Sequence, residues 1–402
     1  MKKQSPKIIN AKLDSIWNKE KLRNIAPLRG GFAFKSEKFQ NTGIPIVRIS
    51  NIKFDGTVGG EFECYSKIIP DEKFVLRGRS ILLAMSGATT GKIAMLDSEE
   101  EYYQNQRVGY FQNTGEVDYD FLSSVLQTTA FTNQLNAVLV AGAQPNISSK
   151  EIDSFEFYIP DSLEEQSAIG SLFRTLDDLL SSYKDNLANY QSLKATMLSK
   201  MFPKAGHTVP EIRLDGFEGE WEKLKLRDVV HTNPKSELPE NFKYIDLESV
   251  VGTRINKIRE ERKESAPSRA QRLAKKGDVF YQTVRPYQKN NYLFKLDEID
   301  YVFSTGYAQL RPIFKRCDSD FLLILLQNNR FLSKVLDRCT GTSYPAINVN
   351  DLIEILIAIP SYEEQQAIGS YFSNLDNLIN SYQDKITQLE TLKKKLLQDM
   401  FI

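Results

Sequence analysis

The ten residues EEQSAIGSLF, beginning at Glu164, return almost unchanged as EEQQAIGSYF, beginning at Glu363. The match runs without a gap from Glu164–Phe202 to Glu363–Phe401 at a constant offset of 199. A repeat of this length restricts a chain of 402 residues to a fold that uses one unit twice.

Each copy spells a long helix. Ile159-Pro160 and Ile359-Pro360 precede the copies, and proline disfavours helix in the residue before it. Ser162-x-x-Glu165 and Ser361-x-x-Glu364 spell capping boxes, in which hydroxyl and carboxylate each satisfy an open amide of the first turn. Ile169, Phe173, Leu176, Leu180, Tyr183, Leu187, Tyr190 and Met197 fall on spacings built from fours and threes. Ile368, Phe372, Leu375, Ile379, Tyr382, Ile386, Leu389 and Leu396 repeat the stripe, and both stripes are broken at the equivalent place, by Lys194 and Lys393. A heptad stripe kept over about five repeats predicts a coiled-coil seam. Two such helices related by pseudo-symmetry in one chain are expected to pair antiparallel.

The segments before the helices repeat more faintly. Trp17 and Trp221 precede KLRNI (Lys21–Ile25) and KLRDV (Lys225–Val229) at the same distance. RGRSILLAMSG from Arg77 answers KKGDVFYQTVRP from Lys275, each predicting a glycine turn at Gly78 or Gly277 and then a buried strand. DFLSSVLQ from Asp120 and DFLLILLQ from Asp320 predict a short helix. GAQPNIS (Gly142–Ser148) and GTSYPAIN (Gly341–Asn348) predict a turn before a last strand ending at Pro160 or Pro360. The expected fold is therefore α+β. Two pseudo-repeated domains, 1–160 and 221–360, are separated by two long antiparallel helices, 161–202 and 361–402, with 203–220 as linker.

Several functions are excluded. No apolar run reaches the ~18 residues that span a bilayer, and MKKQSPKIIN has no apolar core to make it a signal peptide. Cys64, Cys317 and Cys339 lack CxxC spacing and read as structural thiols of a reducing cytoplasm. With only His207 and His231, a His/Cys metal site has too few ligands. SGATTGKI is not a phosphate loop, since Ser86 replaces its first glycine and Ile93 stands where the Mg²⁺-binding hydroxyl belongs. HTNPKSE at His231 contains only the Asn-Pro of a methyltransferase motif, and no GxGxxG or HExxH is present.

Lys plus Arg equal Asp plus Glu, so the net charge is zero, which counts against a free-standing nucleic-acid binder but not against local basic faces. Arg254 to Lys276 holds nine basic and three acidic residues, with REERKES expected as a helix. Groove edges are read by Arg, Lys, Asn, Gln, Ser and Thr, and phosphates mostly by Arg and Lys. On those grounds the first-half candidates for DNA contact are Arg77, Arg79, Ser86, Thr89, Thr90, Lys92, Gln104, Asn105, Gln106 and Arg107. Those of the second half are Arg269, Arg272, Lys275, Lys276, Thr283, Arg285, Tyr287, Gln288 and Lys289. From these residues alone, a coiled-coil scaffold presenting two domains to protein ligands stands equal to a DNA binder.

The order of parts resembles the specificity subunit of type I restriction–modification enzymes. The resemblance rests on PEIRLDGFEGEW, GDVFYQTVRPY, STGYAQLRP, GTSYPAIN and IPSYEEQQAIGSYFSNLD in the second half, and on LLAMSGATTGKI, GAQPNIS and IPDSLEEQSAIGSLFRTLD in the first. The first half departs from it by lacking a clear copy of PEIRLDGFEGEW. The resemblance implies two target-recognition domains, each reading half of a split site in double-stranded DNA, and through STGYA it adds Ser304 and Thr305 to the second-half candidates for DNA contact. It implies that two methyltransferase (modification) subunits dock on the chain and that restriction subunits join for cleavage. It also implies that S-adenosylmethionine, ATP and Mg belong to those partners, with no cofactor, metal, membrane contact or catalysis in this chain. A 39-residue helix is ~58 Å long, about 17 base pairs of B-DNA, so a bipartite, asymmetric site with unread central base pairs is expected.

Overall fold

The computed structural model describes residues 16–141, 146–341 and 343–401. MKKQSPKIIN, Gly142–Pro145 of the first expected turn, and Thr342 of the second lie outside the described residues. The chain forms two compact units, one running to Tyr183 and resuming at Lys385, the other spanning Lys184–Asp384.

The first unit contains β1 (Trp17–Lys21), α1 (Leu22–Ile25), β2 (Leu28–Gly30), β3 (Ile44–Val47), β4 (Cys64–Tyr65), β5 (Val75–Leu76), β6 (Ser80–Ala84), β7 (Ile93–Leu96), β8 (Tyr102–Gln104) and β9 (Val108–Phe111). It continues with α2 (Tyr119–Val125), α3 (Thr129–Ala141), α4 (Ser149–Asp153) and β10 (Glu156–Pro160), leading into α5 (Leu163–Lys200). The second unit contains β11 (Glu222–Lys225), β12 (Val230–Thr232), β13 (Asn241–Ile245), β14 (Val250–Val251), β15 (Arg254–Ile255), β16 (Arg259–Arg262), β17 (Ala270–Leu273), β18 (Val279–Gln282), β19 (Tyr292–Leu293), β20 (Tyr301–Ser304) and β21 (Tyr307–Pro312). Then come α6 (Ser319–Gln327), α7 (Asn329–Leu336), α8 (Val349–Ile353), β22 (Leu356–Ile359) and α9 (Tyr362–Met400).

The duplication extends to strand order. Sheets β2-β9-β6-β7 and β4-β3-β8-β5 of the first unit are answered by β12-β21-β18-β19 and β16-β13-β20-β17 of the second. Even the parallel pairing of β3 with β8 recurs, as β13 with β20, and the ribbon β1–β10 recurs as β11–β22. The second unit adds the hairpin β14–β15. The central strands β6 and β18 are buried along their whole length, which is why they read as continuous apolar runs rather than alternating ones. Gly78 and Gly277 introduce them with φ of +59° and +92°, a conformation that glycine adopts freely. REERKES is not a helix. Arg259–Arg262 pairs on one side with β13 as an edge strand, where charged side chains discourage further pairing.

The repeated EEQxAIG letters fasten each long helix to its domain. Gln166 accepts from the Asp118 amide (2.8 Å) and donates to the Pro160 carbonyl (2.8 Å). Gln365 does the same with Asp318 (3.0 Å) and Pro360 (3.0 Å). Asp118 and Asp318 in turn cap α2 and α6. A Cβ on Gly170 would lie 2.5 Å from the Phe121 nitrogen, and one on Gly369 would lie 2.9 Å from that of Phe321, so only glycine lets the short helices approach this closely. Ser162 and Ser361 cap as expected, accepting from Glu165 and Glu364 amides at 3.3 Å. The carboxylate of Glu364 does not complete the box. It is 1% exposed and gripped by Arg213, Nε to Oε1 at 2.8 Å and Nη2 to Oε2 at 2.6 Å. Arg213 also donates to the carbonyls of Gly219 (2.6 Å) and Glu218 (2.8 Å), which folds the segment before Trp221 around one guanidinium. In the first unit the buried Glu165 accepts from Trp17 Nε1 (3.3 Å).

Within each unit α5 and α9 lie side by side. In the first, Asp177 pairs with Lys393, and the Lys385 ammonium sits 5.5 Å from the Tyr183 ring centroid. In the second, the Tyr190 and Tyr382 rings are 5.4 Å apart and Lys194 Nζ meets Asp376 Oδ1 at 2.5 Å. Partner numbers fall as α5 numbers rise, so the helices run antiparallel in both units. Ile169, Phe173, Leu176, Leu180, Ile368, Phe372, Leu375, Ile379 and Ile386 are buried, while Tyr183, Leu187, Tyr190, Met197, Tyr382, Leu389 and Leu396 are half-buried. The helix ends enter the domain cores: Phe401 packs on Trp17, Phe121 and Phe173, and Phe202 packs on Trp221 and Phe321.

The two breaks in the stripe are thus one device used twice, because Lys194–Asp376 and Lys393–Asp177 are related by the same offset of 199. A charge that must find one carboxylate across the seam fixes register, as a polar residue at a seam position does in coiled coils. Lys194→Asp or Asp376→Lys alone should each lower stability by about 2 kcal/mol, between the values typical of exposed and buried pairs. The double exchange should recover most of that loss in thermal unfolding. Additive losses would show that the pair does not hold the register.

Candidate nucleic-acid interface

Each central strand has two ends, roughly 13–16 Å apart at the usual rise per residue, and the structure gives them different chemistry. In the second unit the chain leaving β18 turns at Thr283–Asn291. The strap formed by Ser343–Ile347 runs antiparallel along this turn, with Val284 bridging Ala346 and the Arg285 amide donating to the Pro345 carbonyl at 2.7 Å. The β20–β21 turn joins the same corner through the Thr283 amide and Oγ1, both donating to the Gly306 carbonyl (3.0 and 2.8 Å). Arg269 joins through its carbonyl, which accepts from the Thr305 amide at 2.8 Å. The β14–β15 turn completes it, the Gly252 amide donating to Asn290 Oδ1 at 2.9 Å. Arg269, Arg285, Tyr287, Gln288 and Thr305 therefore converge, with Arg269, Tyr287 and Gln288 exposed. Beside Arg285 and Gln288 lies a recess of about 350 Å³, walled by Leu247, Val250, Val251 and Val284 and by Glu248, Gln282, Arg285, Gln288, Asn290 and Tyr344.

The first unit builds the same corner from different residues. The Met85 amide donates to the Arg107 carbonyl (2.9 Å), as Thr283 does to Gly306, and the Ile147 amide donates to Met85, as Ile347 does to Thr283. The loop Ser86–Lys92 is drawn tight by Thr89 Oγ1 on the Ile49 carbonyl (3.3 Å) and Thr90 Oγ1 on the Gly87 carbonyl (2.6 Å). Lys92 Nζ lies 4.7 Å from the ring centroid of Phe54, which is 74% exposed. Gln106 and Arg107 are exposed, and Asn105 is half-buried beside them.

The opposite strand ends carry arginines and lysines matched to carboxylates. Arg79 pairs with Asp120 (2.5 Å) and Arg77 with Glu101 (2.8 Å), which the two cations Lys67 and Arg77 hold below the ordinary carboxylate range. Lys276 pairs with Asp297 (2.8 Å). The Lys275 amide and the Gln309 and Arg311 side chains all donate to the wholly buried Asp278, and that hydrogen bond raises the Arg311 guanidinium further. Arg77, Arg79, Lys275 and Lys276 thus do not adjoin the loops with which the sequence grouped them.

Further corrections follow from burial. Gln104 is 0% exposed, donating to the Arg29 and Val108 carbonyls (2.8 and 2.7 Å) and accepting from Arg29 Nε (3.1 Å). Thr283, Ser304 and Ser86 are also buried. These four shape the corners and do not present side chains at them. Lys289 turns inward to the Gln327 carbonyl (2.8 Å) and Asn329 (2.5 Å), and burial, then Lys194, pull its ammonium below the usual lysine value. Arg272 is half-buried with Nε lacking a partner, and burial lowers its guanidinium. Tyr344, Gln282 and Asn290 of the recess, and Phe54, were not among the candidates, although Tyr344 stands inside the GTSYPAIN motif.

Among the described residues no group of three or more His, Cys, Asp or Glu could hold a metal, and burial pushes the Cys317 thiol up to about 12, far from a reactive thiolate. No described helix is long and apolar enough to cross a membrane.

Residues 15–189 and 218–391 each match the family described as type I restriction modification DNA specificity domain. The type I restriction enzyme MjaVIII specificity subunit of Methanocaldococcus jannaschii is 25% identical over 352 residues, covering 82% of this chain and 80% of its own. The EcoBI specificity subunit of Escherichia coli is 20% identical over 416 residues, covering 96% and 85%. The solved S subunit of the type I system of M. genitalium superposes with a TM-score of 0.65 over 99% of both chains at 16% identity, a likeness of fold.

Proposed function

Because the chain belongs to the type I restriction–modification DNA specificity family, we propose that its two corners, Ser86–Lys92 with Asn105–Arg107 and Thr283–Gln288 with Arg269, Thr305 and Tyr344, are the surfaces that read double-stranded DNA. One observation carries this reading: two domains repeat the strand order of both four-stranded sheets yet present different side chains at the same corner. A scaffold for one kind of ligand has no use for that divergence, whereas two readers of unlike half-sites require it. The site is then bipartite and asymmetric, with base pairs between the halves that are contacted only through phosphates or not at all.

The chain performs no chemistry in this reading. Methyltransferase subunits dock on it and bring S-adenosylmethionine, and restriction subunits bring ATP and Mg²⁺. A net charge of zero implies that the partners supply much of the positive field around the duplex. Selection of bound sequences from a random pool, with the full chain and its methyltransferase partner, should return two short motifs separated by a fixed unselected gap. Log K should fall with log salt by about 0.9 per phosphate neutralised. A single contiguous motif, or binding indifferent to salt, would refute the reading.

A further inference from the structure

Arg285 is the one residue of the second corner whose backbone, stacking and donor groups all point to a single ligand. Its φ is +54°, in the left-handed region that non-glycine residues seldom occupy and that is retained where the surroundings enforce it. Its enforcers are on either side: the bridge of Val284 to Ala346 and the short bond from its own amide to Pro345. The strap that holds the backbone also supplies Tyr344, 63% exposed, whose ring centroid lies 4.3 Å from the Arg285 guanidinium carbon. No acceptor within the described protein engages the guanidinium, in contrast to Arg79, Arg213 and Arg311.

A guanidinium propped on a ring keeps its edge N–H groups directed outward in one plane. That rigid fork matches two acceptors side by side on a planar partner. In the DNA major groove, guanine presents such a pair, N7 and O6. Beside Arg285 the recess holds Gln282, 1% exposed with its Oε1 lacking a partner, an incompletely satisfied polar group that the fold alone does not explain.

We propose that Arg285, held by Tyr344, reads one guanine in the major groove of the half-site bound by the second unit; this rests on the DNA-reading function above. The first unit supports the assignment by contrast. Its corresponding turn residue is Gly87, φ +79°, which makes the same bend with no side chain, while its exposed arginine, Arg107, stands where the second unit has Gly306. The two corners exchange arginine and glycine between neighbouring strands, so they cannot read the same base from the same place.

The test compares wild type, Arg285→Gly and Tyr344→Ala in the full chain with its methyltransferase partner, by sequence selection and by affinity for selected and random duplexes. Glycine favours this backbone, so Arg285→Gly should keep its melting temperature. It should lose about 10- to 100-fold in affinity for the selected duplex and little for random DNA, and one G·C position of one half-site should become degenerate. Tyr344→Ala should relax the same position to a smaller extent. Equal losses on selected and random DNA, an unchanged motif, or relaxation at an A·T position would overturn the assignment. A wild-type complex that selects no motif at all would remove the DNA-reading function itself, and this inference with it.

Discussion

Arg213→Ala should destabilise the second unit by about 3–5 kcal/mol, the effect expected when a buried carboxylate loses its cation. Glu364 is almost wholly buried at the first turn of α9, and Arg213 meets both its oxygens. Alanine would leave that carboxylate without its partner and would also release the carbonyls of Glu218 and Gly219. For a unit of this size the loss corresponds to a fall in Tm of roughly 10 °C. Arg213→Lys should recover only part of it, because a point-like ammonium cannot satisfy two oxygens and two carbonyls at once. Glu364→Gln should cost less than Arg213→Ala, since an amide can be buried with less penalty than an uncompensated charge. Scanning calorimetry would resolve the two units as separate transitions, with the first unmoved. If Arg213→Ala melted like wild type, the ion pair would not be what joins this segment to the helix.

That pair also shows where sequence reasoning stopped. The capping serines, the glycine turns, the strands after them and both long helices were legible because each is written in a few neighbouring residues. The partner of Glu364 was not, since Arg213 lies far away in a segment that reads as linker, and local pattern gives a capping glutamate no reason to face elsewhere. The same blindness grouped Lys275 with Arg285, although a buried strand separates them, and left Gln104 and Thr283 among the candidates, although both are enclosed and hydrogen-bonded. Residue type names what could touch DNA; only burial and strand direction decide which of those groups face outward together. One long-range feature was within reach. Lys194 and Lys393 interrupt equivalent stripes, and Asp177 and Asp376 share their offset, so the reciprocal pairs could have been found by asking what two symmetric breaks would bind.

A chain ending at Pro203 should form a dimer. In the first unit of the intact protein, α9 supplies Leu389, Leu396, Met400 and Phe401 to the core around Trp17, Phe121 and Phe173. Without them, Phe173 and Leu176 would face water. Exposing one such large side chain costs about 1.5–3 kcal/mol. The shortened chain holds a substitute, because the residues 199 positions earlier are Tyr190, Met197, Met201 and Phe202, apolar or aromatic at every place, with Lys194 in register to meet Asp177. It cannot use that substitute on itself, since residues 163–200 form one continuous helix whose end cannot fold back along its start. A second copy can, with each helix end entering the other copy's core. The result is a two-fold dimer with isologous contacts, which would read a palindromic site in place of an asymmetric one. Sedimentation should give twice the chain mass. Phe202→Ala should dissociate the dimer, because phenylalanine truncation in a core costs about 3–5 kcal/mol, and a two-fold dimer contains the lesion twice. A half-chain that stays monomeric, soluble and cooperatively folded would show that the first unit does not need the helix end supplied by α9.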